Sequence, residues 1–317
     1  MGMIDIFYRS NGKVLLSQSV ADFTALKHED VIWIDLFSPN GDEKRAAEAF
    51  LNTEIQSRAQ AEEIESSSRF SETDTAIFAN TNFLIPGPEE YTMEAVSFTL
   101  VGNVLATLRD VPLRSFTDLQ RKLQAVPRLF PNGYWVFVSI MDQRVDLDAD
   151  MIELMSKEIA MYSKRVNQQE DINEDLLLDI NQLQDNTMLV RENIVDKQRL
   201  ISNMMKSDKY PVELEPRFNV LLQDISSLIN HSNFSFERLE YLQDTVVGLI
   251  NLEQNKIMKI FTLISLLLMP PTLVASFYGM NVSLPLAEGP FSWMLILGVM
   301  LLSILIILVL FKKRRLL

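Results

Sequence analysis

Two long apolar runs dominate the C-terminal part of the chain. Residues 260–281 carry no charged side chain, and a second apolar run covers residues 291–311. Across both runs and the loop between them, residues 282–290, the only charged residue is Glu288. A helix rises 1.5 Å per residue, so the first run would span about 33 Å, enough to cross the hydrocarbon core of a bilayer. The pattern predicts a membrane hairpin with transmembrane helices at 260–281 and 291–311.

Basic residues flank the hairpin on both sides. Lys256 and Lys259 precede the first run, and residues 312–317 form a basic tail of sequence KKRRLL. Basic residues next to membrane spans stay on the cytoplasmic side, so both termini are predicted to be cytoplasmic and the loop external. The N-terminal MGMIDIFYRS has no apolar core, and no signal peptide is expected.

The N-terminal residues 1–140 alternate strand-like and helical patterns, which predicts a cytoplasmic α/β domain with a mixed sheet. Helices are expected at 42–52 and 117–125. The predicted strands are 4–8, 31–36, 75–84, 94–100 and 104–109. This segment has no Gly-rich phosphate loop, no Ser/His/Asp set and no HExxH motif. An enzyme is therefore not expected.

The next segment, residues 141–212, is helical and strongly acidic, and we expect antiparallel helices there. Its acidic side chains are either solvated helix faces or an acidic collar that raises the local concentration of cations. They are Asp142, Asp146, Asp148, Asp150, Glu153, Glu158, Glu170, Asp171, Glu174, Asp175 and Asp179.

Residues 213–259 predict one long stalk helix. Apolar residues recur there at spacings near 3.5, as in a coiled-coil seam, and no proline lies between Pro216 and Pro270. The stalk is therefore predicted to continue into the first membrane helix. If residues 217–269 are all helical, this helix is about 80 Å long.

Composition excludes several classes of protein. The 317 residues are 48% hydrophobic and carry a net charge of −13. An acidic chain without a basic patch is not expected to bind nucleic acid. The chain has no cysteine, so disulfides and thiolate metal sites are absent, and no cofactor is expected. The two histidines, His28 and His231, lie far from the membrane runs.

The first membrane helix is more polar than the second. Ser265, Thr272 and Ser276 are spaced by seven and four residues, so they share one helix face, and Asn281 ends the run. Hydroxyl side chains can bond to their own helix backbone, which would make them packing residues. The alternative is a stripe that lines a water-filled path. The adjacent Pro270 and Pro271 are expected to bend this helix.

The end of this helix carries a recognisable motif. Tyr278, Gly279, Met280 and Asn281 follow an MPPT segment and precede a short loop, a second helix and a terminal KKRR. This arrangement resembles the CorA superfamily of divalent-cation transporters. The AVSF and GNVL segments at 95–98 and 102–105, and AEEI followed by SRF at 61–70, are similar to the soluble domain of that family.

The resemblance implies an α+β membrane protein that assembles as a funnel-shaped homopentamer in a bacterial or archaeal cytoplasmic membrane. The Tyr278–Asn281 motif would form the selectivity filter at the outer mouth. Neutral amide and carbonyl oxygens suit a hydrated Mg²⁺ ion, which dehydrates reluctantly. The pore-lining face would comprise Met258, Phe261, Ser265, Met269, Thr272 and Ser276, with Met258, Phe261 and Met269 as apolar gating rings.

Two departures from the family pattern concern charged residues. The acid that commonly follows the motif is displaced to Glu288, which can still attract cations at the mouth. Glu62 and Glu63 match one side of the family's cytoplasmic regulatory metal site, but Val220 stands at the partner position. Asp224, one turn further on, is the substitute. We therefore expect only weak closure by cytoplasmic Mg²⁺, which would act as regulator as well as substrate.

Three functions remain open on the sequence alone. The first is a channel or transporter for the uptake of Mg²⁺, and also of Co²⁺ and Ni²⁺. The second is a ZntB-like Zn²⁺ transporter, proton-coupled or not. The third is a membrane-anchored sensor or scaffold. Ion flux separates transport from the third function, and ion competition separates the first two.

Overall fold

The computed structural model describes residues 3–56, 69–87, 91–170, 172–280 and 289–313. By the packing of the backbone, the chain divides into two units, residues 1–243 and residues 244–317. The first unit contains a sheet and the helices that cover it. The second contains the C-terminal part of a long helix and a further apolar helix.

Seven strands of the described residues form one mixed sheet in the order β2-β1-β3-β7-β6-β5-β4. The pair β3–β7 is parallel and all other neighbouring strands are antiparallel, which confirms the predicted mixed sheet. The strands are β1 (Met3–Ser10), β2 (Lys13–Ser17), β3 (Val31–Phe37), β4 (Phe70–Glu72), β5 (Ala76–Ile85), β6 (Thr92–Val101) and β7 (Val104–Arg109).

Of the described α-helices, the first lies between β3 and β4, and the others follow β7. They are α1 (Gly41–Leu51), α2 (Arg114–Ala125), α3 (Gly133–Gln168), α4 (Glu174–Met204), α5 (Glu215–Tyr278) and α6 (Ser292–Lys313). Short 3-10 turns occur at Val20–Thr24, His28–Asp30, Pro127–Leu129 and Val212–Leu214. The predicted boundary between residues 140 and 141 falls inside α3, and the packing unit that holds the sheet continues to residue 243.

Asparagine side chains fix three of the helix starts. The Asn40 side chain accepts hydrogen bonds from the backbone of α1, and the Glu43 carboxylate accepts one from the Asn40 backbone N–H, which completes a capping box. Asn132 and Asn173 cap α3 and α4 through their side-chain oxygens, each of which accepts one hydrogen bond from the helix backbone. Each cap satisfies a backbone donor that the helix leaves open, typically worth about 1 kcal/mol.

The sheet is buried on both faces. On one face, Ala47 and Leu51 of α1 pack against Ile4, Ile6 and Ile34. On the other, Trp33 lies 5.7 Å from Phe116 of α2, and Phe98 lies 5.2 Å from Phe137 of α3, measured between ring centroids. Such aromatic pairs add to the stabilisation that burial of their area provides. This packing explains why the strands are nearly continuous hydrophobic runs.

Helix α3 begins in direct contact with the sheet. The backbone N–H of Gly133 donates to the Asn103 carbonyl at 2.7 Å, in the turn between β6 and β7. A Cβ atom on Gly133 would lie 2.4 Å from the backbone nitrogen of Leu105. Only glycine can occupy this position without movement of the strand, so Gly133 sets the distance between α3 and β7.

Candidate functional site

Two helices of the described residues are long and apolar enough to cross a membrane, judged by length and composition; the structure contains no bilayer. They are Val212–Tyr278, which comprises α5 and the turn before it, and Ser292–Lys313, which is α6. Pro270 and Pro271 lie inside α5, and Lys312 and Lys313 lie in the last turn of α6. The apolar window of each helix is exposed within the single chain. Lipid or further protein must cover such surfaces.

The six residues predicted to line a pore all lie on α5 and are exposed. Met258, Phe261 and Met269 each expose 63% of their surface, which is unusual for large apolar side chains. Four of the six residues line one shallow groove together with Met280, and this set is Ser265, Met269, Thr272 and Ser276. The structure therefore brings most of the predicted stripe together on one face.

Hydroxyl groups on this helix bond partly to their own backbone. The Thr272 hydroxyl donates to the Leu268 carbonyl at 2.7 Å, and the Thr262 hydroxyl donates to the Met258 carbonyl at 2.8 Å. This is the back-bonding that the sequence left open as an alternative. The Thr272 oxygen keeps its lone pairs, so it can still accept a hydrogen bond from water in the groove.

The Tyr278–Asn281 motif begins where α5 ends. Tyr278 is the last residue of the helix, and its ring packs edge-on to that of Phe277 at 5.9 Å. The Gly279 N–H still donates to the Ala275 carbonyl at 2.9 Å, which closes the last turn. Met280 exposes 54% of its surface. The other two predicted residues of the outer mouth, Asn281 and Glu288, lie outside the described residues.

Asp224, the predicted regulatory residue of the stalk, lines a cavity of about 450 Å³ between α3 and α5. Asp142 and Asp146 of α3 and Arg217 of α5 line the same cavity, as does Val220. Glu62 and Glu63 lie outside the described residues. No group of three or more His, Cys, Asp or Glu side chains in the described part of the chain is arranged to hold a metal ion.

The positively charged side chain of Arg217 lies in this acidic cavity. Arg217 forms an ion pair with Asp142, and its guanidinium lies 5.5 Å from the centre of the Trp135 ring. Burial raises the pKa of Asp142, Arg217 lowers it, and Asp146 and Asp224 raise it further. Burial also raises the pKa of Asp146, with contributions from Asp150 and Asp224. Asp224 thus lies near two other carboxylates, one of which, Asp142, already has a positive partner in Arg217.

One acidic residue of the predicted surface is instead fully buried. Asp148 accepts a hydrogen bond from Lys197 at 2.5 Å, and Arg144 lies 3.8 Å away. Lys197 is also fully buried, and burial lowers its pKa to about 8 although Asp148 raises it. Asp148 is therefore neither part of a solvated face nor of an acidic collar. Sequence reasoning missed both this pair and Arg217 because neither has a local signature.

Comparison with known proteins decides the family. Residues 28–313 match the family described as CorA-like Mg²⁺ transporter protein. The chain belongs to the CorA family. The magnesium transport protein CorA of Wolinella succinogenes is 33% identical over 319 residues, which covers 99% of each chain. The CorA of Campylobacter jejuni is 33% identical over 298 residues, which covers 90% of this chain and 91% of the relative.

The fold of the chain is also that of CorA. The complete structure of the CorA magnesium transporter from Methanocaldococcus jannaschii superposes with a TM-score of 0.77, at 17% identity, over 99% of this chain and 98% of that one. This likeness covers the mixed-sheet domain, the long helix and the C-terminal apolar helix. The CorA family consists of membrane transporters, which agrees with the absence of a catalytic motif from the sequence.

Removal of the Arg217 side chain is expected to make the thermal stability of the protein depend on a divalent metal ion. Arg217→Ala leaves Asp142, Asp146 and Asp224 to repel one another, so the unfolding temperature should fall in EDTA. Addition of 10 mM Mg²⁺ should then raise it by about 3 °C more than in the parent protein, as expected for a cation bound with a Kd of about 1 mM.

Differential scanning calorimetry of the full chain in detergent measures this effect. Arg238→Ala is the matched control, because Arg238 lies on the same helix and contacts the Phe234 ring rather than a carboxylate. An equal rise in unfolding temperature on addition of Mg²⁺ in both variants would contradict the proposal that Arg217 neutralises the carboxylates of this cavity.

Proposed function

We propose that the chain is one subunit of a homopentameric channel that carries hydrated Mg²⁺ into the cytoplasm, with Co²⁺ and Ni²⁺ as further substrates. The observation that carries this proposal is the exposed polar stripe of α5, which leads directly to the Tyr278–Asn281 motif in a member of the CorA family. Several relatives of this chain are named magnesium transport proteins.

Pore formation requires several copies of the chain. The hairpin of one subunit supplies two membrane helices, and two helices cannot enclose a path for an ion. Five copies of α5 around an axis would place Ser265, Thr272 and Ser276 along the path. A ring of Asn281 amides at the outer mouth would contact the water shell of the ion. A ring of Glu288 carboxylates near this mouth would raise the local concentration of cations.

The driving force for uptake is the membrane potential. A potential of 100 mV supplies about 4.6 kcal/mol for an ion of charge +2 when the cytoplasm is negative. No coupling ion is needed for inward flux. The proposal places both termini, the sheet domain and the basic residues Lys312 and Lys313 in the cytoplasm of a bacterial or archaeal cell, with the loop between the spans outside.

Zn²⁺ transport is the second candidate. Neither apolar run contains cysteine or histidine, the side chains that bind Zn²⁺ directly. A path lined by hydroxyl and amide groups favours hard, hydrated ions. Hydrated Zn²⁺ could still pass the same ring, so the two ions must be compared directly.

Flux in proteoliposomes tests both candidates. The full chain is reconstituted, a potential is set with K⁺ and valinomycin, and influx is measured for Mg²⁺, Co²⁺, Ni²⁺ and Zn²⁺ with and without a pH gradient. We expect Mg²⁺ influx that Co²⁺ and Ni²⁺ inhibit by competition and that the pH gradient leaves unchanged. Zn²⁺ influx that requires the pH gradient would favour the second candidate. Absence of flux for all four ions would leave the sensor or scaffold.

The apolar rings of the stripe are expected to restrict flux. Met258→Asp or Phe261→Asn places a polar group where a narrow apolar ring excludes water, so each variant should raise Mg²⁺ flux several-fold. The same liposome assay measures this change.

Leu263→Asn is the matched control for these variants. Leu263 lies two residues beyond Phe261, which turns the side chain by about 200° to the other side of the helix. Its substitution should not raise flux. If all three variants gave the flux of the parent protein, Met258 and Phe261 would be packing residues.

A further inference from the structure

Residues 256–317 have the opposite charge to the rest of the chain. They contain six of its 29 basic residues but only one of its 42 acidic residues. The six are Lys256, Lys259, Lys312, Lys313, Arg314 and Arg315. The structure describes the four lysines, and all four are exposed. Because the remainder of the chain is strongly acidic, this cluster is not part of a general excess of positive charge.

The four lysines lie at one surface of the membrane. Lys256 and Lys259 precede the first apolar run, and Lys312 and Lys313 directly follow the second. One short loop joins the two runs. If each run crosses the bilayer once, the start of the first and the end of the second must therefore lie at the same surface.

Equal lengths of apolar helix place two of the lysines at the same depth. Lys259 precedes Tyr278 by 19 residues, and Trp293 precedes Lys312 by 19 residues. At 1.5 Å per residue, each interval spans about 28 Å, close to the thickness of the hydrocarbon core. Tyr and Trp rings favour the membrane interface. With these rings at one interface, the ammonium groups of Lys259 and Lys312 lie among the lipid headgroups of the other.

The lysines of α5 point away from the proposed ion path. At 100° per residue, Lys256 and Lys259 are centred about 160° around the helix from Met258 and Phe261. A ring of ammonium groups within the path would repel a divalent cation, and this position avoids such a ring. Both lysines lie in the interior of α5, so interaction with the charge of a helix end does not explain them.

The lysines have no counter-ion within the protein that would compete with an external anion. In the part of the chain that the structure describes, none of the four forms an ion pair with a carboxylate. The apolar windows of both helices are exposed beside them. A partner that matches these surfaces therefore combines a negative group with a long apolar part.

We propose that the four lysines form a binding site for anionic phospholipids of the leaflet that they face. An ammonium group binds phosphate oxygens through charge-assisted hydrogen bonds, and basic residues clustered beside a membrane span attract lipids with negative headgroups. Each basic residue at this surface is expected to raise the affinity for an anionic lipid about fivefold. The proposal rests on the two membrane spans and not on ion transport, so it can be tested whether or not ions flow.

Electron spin resonance of spin-labelled lipids tests the proposal. The full chain is reconstituted in phosphatidylcholine vesicles with a trace of spin-labelled phosphatidylglycerol or spin-labelled phosphatidylcholine. The motionally restricted fraction of each label gives its relative association constant with the protein surface. We expect phosphatidylglycerol to be preferred at least about threefold, averaged over all lipid positions. Addition of about 0.5 M NaCl should reduce this preference, because salt screens exposed charges.

Neutral substitutions identify the residues responsible. Lys256→Gln with Lys259→Gln, and Lys312→Gln with Lys313→Gln, should each lower the preference for phosphatidylglycerol by about half or more. Lys312→Arg with Lys313→Arg keeps both charges and should keep the preference, which separates loss of charge from damage to the fold.

Lys122→Gln with Lys164→Gln is the matched control, because both lysines are exposed and lie in the sheet-containing unit. This variant loses the same charge and should keep the preference of the parent protein. Equal association of both labels with the parent protein would overturn the proposal. An unchanged preference after substitution of all four lysines by glutamine, or an equal loss in the control, would overturn it as well.

Discussion

Asn281→Ala is expected to abolish Mg²⁺ uptake while the assembly remains intact. In the proposed pore, Asn281 supplies the only side-chain amide of the Tyr278–Asn281 motif. Its oxygen would accept hydrogen bonds from the water shell of the ion, and alanine offers no such acceptor. The variant loses several hydrogen bonds to the water shell of the ion, each worth about 1 kcal/mol. Influx in proteoliposomes should therefore fall at least about 100-fold, to the level of liposomes without protein.

Two further variants make this test specific. Asn281→Gln keeps the amide but displaces it by one methylene group, so part of the flux should remain. Asn230→Ala removes an exposed amide from the α5 segment of the sheet-containing unit and should leave flux unchanged. Native mass spectrometry reports the number of subunits in each variant. Flux close to that of the parent protein in Asn281→Ala would exclude a filter role for this residue.

Gly133→Ala is expected to destabilise the sheet-containing unit severely. The added Cβ would lie 2.4 Å from the Leu105 nitrogen and 2.8 Å from the Val104 carbonyl carbon. Both atoms belong to the backbone of β7, which cannot turn aside as a flexible side chain can. Overpacking against a rigid neighbour costs about 3 kcal/mol or more, so the unfolding temperature should fall by about 6 °C or more.

Gly248→Ala is the matched control for this change. Gly248 lies within α5, and no atom would come within 4 Å of its added Cβ. Alanine favours a helix over glycine by about 1 kcal/mol, so this variant should be slightly more stable than the parent protein. Circular dichroism during heating measures both transitions. A Gly133→Ala protein as stable as Gly248→Ala would show that α3 can shift away from β7.

Periodic patterns explain what the sequence predicted well. The five predicted strands all occur, with ends that agree with the prediction to within two residues, because buried strands carry continuous apolar runs that a local window detects. The sequence did not predict β2 and β4. Both lie at the edges of the sheet, β4 has only three residues, and β2 has five residues of which only Val14 and Ser17 are buried. The neighbouring strand stabilises such segments more than their own composition does.

Contacts between distant residues explain what the sequence could not predict. Asp142 and Arg217 are 75 residues apart in the chain, and Asp148 and Lys197 are 49 apart. A count of acidic residues on α3 cannot show which of them point into the protein and find a cation there. The exposed stripe of α5 follows from helical spacing and could be predicted. The roles of Asn281, Glu288, Glu62 and Glu63 stay predictions, because these residues lie outside the part of the chain that the structure describes.

The two prolines inside α5 have a consequence for the backbone itself. Pro270 and Pro271 have no N–H group, so the carbonyl oxygens of Leu266 and Leu267 lack their usual donors four residues further on. In hydrocarbon, an oxygen without a donor costs several kcal/mol, so water or a neighbouring helix must supply one. A segment whose side chains are almost all leucine therefore holds two strong acceptors at the depth of the membrane core. The infrared band of a ¹³C-labelled carbonyl at Leu266 would report directly whether water reaches that depth.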